Sequence, residues 1–218
     1  MAPDIEWYDW AGGREAMVRF GPSRGPTVLA VPALFEEANR TRALLVDVLR
    51  RLARRGIAGA LPDLPGQNES SVPTEEARLP LWRAALAAAS ASLPSPVHMV
   101  AIRGGALLDA EAEVASRWYF APLSGGAQVR ELARVRAAGG GHDYAGNAID
   151  GAMIAQLDAA EPATAPPLRV ARLPGDPRAS DVIFPAAPPW RASEPRVDPA
   201  LAAAMADDIA AWVAACAG

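Results

Sequence analysis

The stretch Val97-His98-Met99-Val100-Ala101-Ile102-Arg103-Gly104-Gly105-Ala106-Leu107-Leu108 decides how this chain is read. Its first six residues, apolar but for His98, form a run of strand length, and the paired glycines after Arg103 mark a tight turn into a second apolar segment. The pattern predicts a buried strand from Val97 to Ile102 that passes through a glycine turn into a helix from Gly104 to about Ser116. The window Ala101-Ile102-Arg103-Gly104-Gly105 is laid out like the G-x-S-x-G turn, in which a strained strand-to-helix connection lifts a serine hydroxyl above a sheet. Arginine stands where the serine would be. A guanidinium stays protonated at any working pH and cannot attack a carbonyl carbon, so the turn is kept and its nucleophile is not.

Toward the N-terminus, Ile5 to Trp10 and Glu15 to Phe20 alternate apolar and polar residues around Ala11-Gly12-Gly13-Arg14, which predicts an antiparallel hairpin. Thr27 to Val31 reads as a short buried strand. A helix follows from about Glu36 to Arg55, with Leu44, Leu45, Val48, Leu49 and Leu52 at helical spacing and Gly56 as its stop. Ile57 to Leu61 supplies the next strand, and a strand-helix-strand crossover of this kind builds a parallel sheet. Pro62-Asp63-Leu64-Pro65-Gly66 is a loop, and Thr74 to Leu93 carries an amphipathic helix interrupted near Pro80.

Beyond the glycine turn, Trp118 to Pro122 gives a further parallel strand. Ser124 to Ala165 reads as an excursion of helices broken at Gly139-Gly140-Gly141 and is expected to sit as a small cap. Leu168 to Leu173 and Val182 to Phe184 suggest two last strands, but the residues between them leave no room for a crossover helix. That favours an antiparallel turn, or one strand where two are suggested. A final helix from Pro199 to about Ala214 has Asp198 as cap and Leu201, Met205, Ile209 and Trp212 on its buried face. The expectation is a single α/β domain over residues 1–218, a three-layer α/β/α sandwich whose mostly parallel sheet opens with an antiparallel hairpin, with 124–165 as the cap excursion.

At 218 residues with 51% hydrophobic content, the chain is long enough to bury one sizeable core. The net charge of −4 gives no general attraction to phosphates, and no basic-aromatic cluster suggests a stacking groove, so a nucleic acid partner is not expected. All 21 basic residues are arginine, which reads as compositional bias and not as a recognition surface. The first residues carry acids and tryptophans where a signal peptide needs a basic stretch, and no segment approaches about 18 uncharged apolar residues. A cytoplasmic protein without a transmembrane segment is expected. Cys216 is the sole cysteine, which rules out an internal disulfide, and the two histidines lie far apart without a ligand motif, so neither metal nor cofactor is expected. Oligomeric state is not legible.

The order of elements, with the Val31-Pro32-Ala33-Leu34-Phe35-Glu36-Glu37 turn, the Pro62-Asp63-x-x-Gly66 turn and the turn at Arg103, resembles the α/β-hydrolase fold. More narrowly, PALFEEANRTR (32–42), LPDLPGQNES (61–70), VAIRGGALL (100–108), FAPLSGGAQVRELARVRAA (120–138) and the later YAG and PPW segments resemble the exosortase A system-associated hydrolase 2 family. The resemblance implies a setting among exopolysaccharide and protein-sorting genes of Gram-negative bacteria, in a family for which "hydrolase" is a fold-level name. It also implies that arginine at the elbow is a family trait. Between its last two strands the chain is shorter than the family pattern, where the acid usually stands.

A triad in this fold needs a nucleophile at the elbow, an acid after a late strand and a histidine after the last strand. Only two histidines exist: His98 lies inside the elbow strand and reads as structural, and the final loop offers Pro188-Pro189-Trp190 instead. His142 could swing over the site from the cap, although an exposed residue is the plainer reading. Asp176 sits near the acid position but reads as a turn residue, and Asp63 as a partner of local backbone amides. Ser124, followed by Gly125-Gly126, reads as a helix cap because no base can be assigned to it.

What survives is electrostatic. The Gly104 amide at a helix start and an amide from Ala33-Leu34-Phe35 would remain as donors, and with Arg103 they favour a small anionic or acyl ligand; Leu34, Phe35, Arg103 and Gly104 are the expected ligand-binding residues. The competing expectation pairs Arg103 internally with Glu36, Glu37 or Asp63. The favoured function is a binding or accessory protein without Ser-His-Asp hydrolase activity, in the exopolysaccharide-linked system that the resemblance implies. The alternatives are an acyl-ester or thioester hydrolase or transferase using Ser124, His142 or Asp176 in a non-standard site, and an interaction subunit with a packed remnant of one.

Overall fold

Strict alternation within the central strands divides the core into two halves. The computed structural model describes residues 3–139, 144, 146–147 and 149–217. Its strands are β1 (Asp4–Trp10), β2 (Gly13–Phe20), β3 (Thr27–Val31), β4 (Ala58–Pro62), β5 (Val97–Ile102), β6 (Ser116–Phe120), β7 (Leu168–Arg172) and β8 (Val182–Ile183). Its helices are α1 (Glu36–Ala53), α2 (Leu79–Ala91), α3 (Gly125–Ala138), α4 (Gly151–Asp158) and α5 (Pro199–Ala215). All eight strands form one sheet in the order β1-β2-β4-β3-β5-β6-β7-β8. The β1–β2 and β2–β4 pairs are antiparallel and the rest are parallel.

On one face Val28, Ala30, Val100, Ile102, Trp118 and Phe120 pack beneath α1 and α5; on the other, Leu29, Val31, Met99, Ala101 and Tyr119 pack with Trp82 and Leu86 of α2 and with Leu132, Met153 and Leu157 of α3 and α4. Side chains on a strand point alternately to the two faces, so a strand apolar on both must be covered on both. The result is the expected three-layer α/β/α sandwich with its N-terminal hairpin. Between β6 and β7, α3 packs on α4 and α4 on α2. No helix of the described residues is long and apolar enough to cross a membrane.

Four local expectations are corrected. The connection after β5 is not a helix to Ser116 but two short 3₁₀ turns, Arg103–Leu107 and Asp109–Glu111. Glycines at 104 and 105 favour helix poorly, and the buried Asp109 carboxylate is held on β6 by Arg117 Nε at 2.8 Å and the Tyr119 hydroxyl at 2.6 Å. The interruption expected near Pro80 is present but lies a few residues earlier, at the extended Ala77 and Arg78 after the 3₁₀ turn Thr74–Glu76; Pro80 itself sits in the first turn of α2, where its missing N–H has no helical partner to lose. The β7–β8 pair is parallel although no helix joins it. Side chains turn the chain instead: Asp181 accepts from the Val170 amide at 2.7 Å, and Arg172 donates to the Ala179 carbonyl at 2.9 Å and to Asp176 at 3.0 Å. In α5, Val213 takes the buried position expected of Trp212, which is half-buried.

Candidate functional site

Among the described residues, every non-glycine residue in the left-handed backbone region lies beyond the carboxyl end of a parallel strand. Phe35 (φ 58°) follows β3, Asn68 (φ 47°) follows β4, Arg103 (φ 54°) follows β5 and Ala121 (φ 47°) follows β6. Each such residue stores about 1–3 kcal/mol, and strain of this kind concentrates at functional sites. The carboxyl ends of the strands are also where open α/β sheets bind ligands.

Arg103 forms the apex. A Cβ at Gly105 would lie 2.3 Å from the Pro32 carbonyl oxygen, so the turn is pressed against the chain leaving β3 at a distance only glycine allows. A Cβ at Gly104 would meet Oε1 of the buried Gln128 at 2.2 Å and Cδ1 of Leu34 at 3.2 Å. Gly104 is the second residue of the five-residue 3₁₀ turn Arg103–Leu107 and does not start an α-helix.

The Arg103 side chain is buried and donates to Glu37 through two bonds, Nε to Oε2 at 3.1 Å and Nη2 to Oε1 at 2.9 Å. Its Cζ lies 4.5 Å from the Trp190 ring centroid, and a second carboxylate, Glu131, stands 3.8 Å away. Burial pushes the Glu37 carboxyl above its ordinary range, against the pull of the Arg103 bonds. The other two acids named as possible partners are engaged elsewhere, Glu36 with Arg40 at 2.6 Å and Asp63 with Arg42 at 2.9 Å. Glu37 occupies the Nε–Nη2 edge of the guanidinium, the edge that a bidentate anion would take.

The triad candidates are dispersed. His98, buried in β5 five residues before the elbow, has Nδ1 2.8 Å from Ser116 Oγ across the β5–β6 pair, and burial lowers its pKa. The Ser124 hydroxyl accepts from the Ala127 amide at 3.3 Å as the cap of α3. Asp176 accepts from Arg178 Nη2 at 2.7 Å and Nε at 2.9 Å and from Arg172 Nη1 at 3.0 Å, and hydrogen bonds from Arg178 above all hold its carboxyl far below the usual range. Asp63 does not bond backbone amides with its carboxylate: Oδ1 accepts from Arg42 Nη2 at 2.9 Å and Asn68 Nδ2 at 2.7 Å. His142 lies outside the described residues. No group of His, Cys, Asp or Glu among the described residues is arranged to hold a metal ion.

Two features escaped the sequence reading. In the sequence Trp190 stands only where a late histidine would be; its stack on Arg103 depends on how the loop after β8 folds back. A cavity of about 240 Å³ opens beyond the ends of β3 and β4, bordered by Phe35, Asn39, Arg42, Gln67, Asn68 and Trp82, and no local motif announces it.

Strand order, strained elbow and loop placement together define the α/β-hydrolase fold. No family model matches the chain, and no curated protein matches it in sequence. Among solved structures the chain is similar to alpha/beta hydrolase domain-containing protein 10 from mouse, with a TM-score of 0.70 and 14% identity over 96% of this chain and 98% of that one. It is also similar to the thioesterase domain from the curacin biosynthetic pathway (TM-score 0.60, 13% identity, 98% and 99% covered). A third likeness is to the bottromycin epimerase BotH in complex with bottromycin A2 (TM-score 0.59, 15% identity, 96% and 99% covered). At these identities the likeness is one of fold. A hydrolase domain, a thioesterase and an epimerase on one frame leave the reaction to be argued from the site.

Proposed function

We propose that this chain is an α/β-hydrolase-fold protein without Ser-His-Asp hydrolase activity, serving as a binding or accessory protein in the exopolysaccharide- and exosortase-linked setting implied by its resemblance. The observation that carries the reading is the closed Arg103–Glu37 pair with Trp190 against it. A hydrolase of this fold needs an oxygen nucleophile at the elbow and an imidazole within hydrogen-bond reach of it. Here the elbow carries a buried cation already bonded to a carboxylate, and an indole ring occupies the approach from the late loop. Residues 124–165 act as the cap over this end of a single domain.

Labelling with a fluorophosphonate probe and hydrolysis of p-nitrophenyl acetate and butyrate test the reading. Neither label nor turnover should exceed a heat-inactivated control. Turnover abolished by Ser124→Ala or His142→Ala would overturn it and establish an acyl-ester or thioester hydrolase with a non-standard site.

A further inference from the structure

The 240 Å³ cavity beyond β3 and β4 is separate from the Arg103 pair, and Arg103 does not line it. We propose that it binds a neutral, hydroxyl-rich ring, a ligand the size of one sugar unit. This rests on the binding role proposed above and is tested apart from it.

Size and chemistry both narrow the occupant. Drug-sized sites begin at about 300 Å³, so this one takes a single ring and not an extended chain. Phe35 and Trp82 form its aromatic wall, ring centroids 5.5 Å apart and inclined at 54°. Trp82 is buried and donates its indole N–H to the Pro65 carbonyl at 2.8 Å, so it backs the half-buried Phe35 ring, which is the one placed to meet a ligand's C–H surface. Asn39, Gln67 and Asn68 line the cavity with it and bring carboxamides. Among the described residues, those of Asn39 and Gln67 have no partner, while Asn68 donates Nδ2 to Asp63 and keeps its Oδ1.

A carboxamide both donates and accepts, and a hydroxyl does the same, whereas an ionised carboxylate only accepts. Arg42, the one charged side chain among the described lining residues, is held by Asp63 at 2.9 Å, so the described part of the wall carries no uncompensated charge to hold an anion. A plain hydrocarbon ring would desolvate the carboxamides without bonding them. A neutral polyhydroxylated ring satisfies both the aromatic wall and the amides.

Isothermal titration calorimetry of the full chain with the methyl glycosides of glucose, galactose and mannose and with N-acetylglucosamine tests this, with glucuronate, inorganic phosphate and cyclohexanol as comparison arms. At least one neutral sugar should bind, the comparison arms should be silent, and Asn39→Leu and Gln67→Leu should each weaken binding at least tenfold. Both side chains lack partners, so melting curves of the variants should match the parent; Gln67→Glu, which keeps the shape and removes the amide donor, serves as a second variant. The proposal is overturned if no neutral sugar binds, if only the anions or only cyclohexanol bind, or if sugar binding is unchanged in the variants. An inert chain that binds no sugar defeats this inference alone, and ester turnover in a chain that binds sugar defeats the non-hydrolytic reading alone.

Discussion

The Arg103 guanidinium and the Glu37 carboxylate meet edge to edge, Nε on one oxygen at 3.1 Å and Nη2 on the other at 2.9 Å. The fork of arginine matches the two oxygens, and burial makes each charge depend on the other. Breaking a buried pair from one side leaves an uncompensated charge, at about 3–5 kcal/mol. Arg103→Leu and Glu37→Leu are each expected to lose about 3 kcal/mol. The double variant should lose clearly less than their sum. A double-mutant cycle by chemical denaturation measures this; additive losses would mean that the two groups do not act as a pair.

Arg103→Ser should not create an esterase. The new hydroxyl would stand beside Glu37 and Trp190 with no imidazole among the described residues placed to take its proton, and triad members act as a unit. p-Nitrophenyl butyrate turnover equal to the parent's is expected, and strong activity in this single variant would reveal a base from elsewhere in the chain.

Gly105→Ala and Gly151→Ala should differ sharply. A methyl at 105 meets the Pro32 carbonyl oxygen at 2.3 Å and forces the elbow off β3, whereas one at 151 meets nothing within 4 Å. The first should lose about 2 kcal/mol or more, seen as a melting temperature lower by roughly 4–8 °C, and the second should stay within about 0.5 kcal/mol of the parent.

Asp176 provides a pH test. Hydrogen bonds from Arg178, joined by Arg172, depress its folded-state pKa, so its contribution to stability is complete above the unfolded value of about 4 and fades as the pH falls toward the folded one. Asp176→Asn should be less stable than the parent by about 2 kcal/mol at pH 7, and the gap should narrow below about pH 4. Urea unfolding of both proteins from pH 7 to pH 3 checks it; a gap that widens toward acid contradicts the sign.

The elbow strand was legible because Val97 to Ile102 is apolar at every position but His98, a pattern that a strand covered on both faces requires. The partner of Arg103 was legible only as a choice of three acids. Glu37 lies four residues before buried Thr41, which leads on to Leu44 and Val48, so it continues the inner stripe of α1, while Glu36 and Arg40 share the outer side. That helical spacing was the available signal. The 3₁₀ turns after β5 were not readable, because the grip of Arg117 and Tyr119 on Asp109 arises only once β6 is in place. The parallel β8 was missed for a related reason: Asp176, Arg178 and Asp181 replace a helix with side-chain bonds that no periodicity encodes. The cavity draws on α1, α2 and the loops after β3 and β4, so no single segment could show it.

The two rims of the parallel sheet obey different rules. Where the strands exit, non-glycine residues hold left-handed turns against close neighbours; where β3 and β4 enter, the turns at Gly25 and Gly56 have open space around them. A surface anchor or a reporter domain grafted beside Gly25 would therefore hold the molecule by its unstrained rim and leave the opposite rim, with Phe35 and the mouth of the cavity, facing the solution.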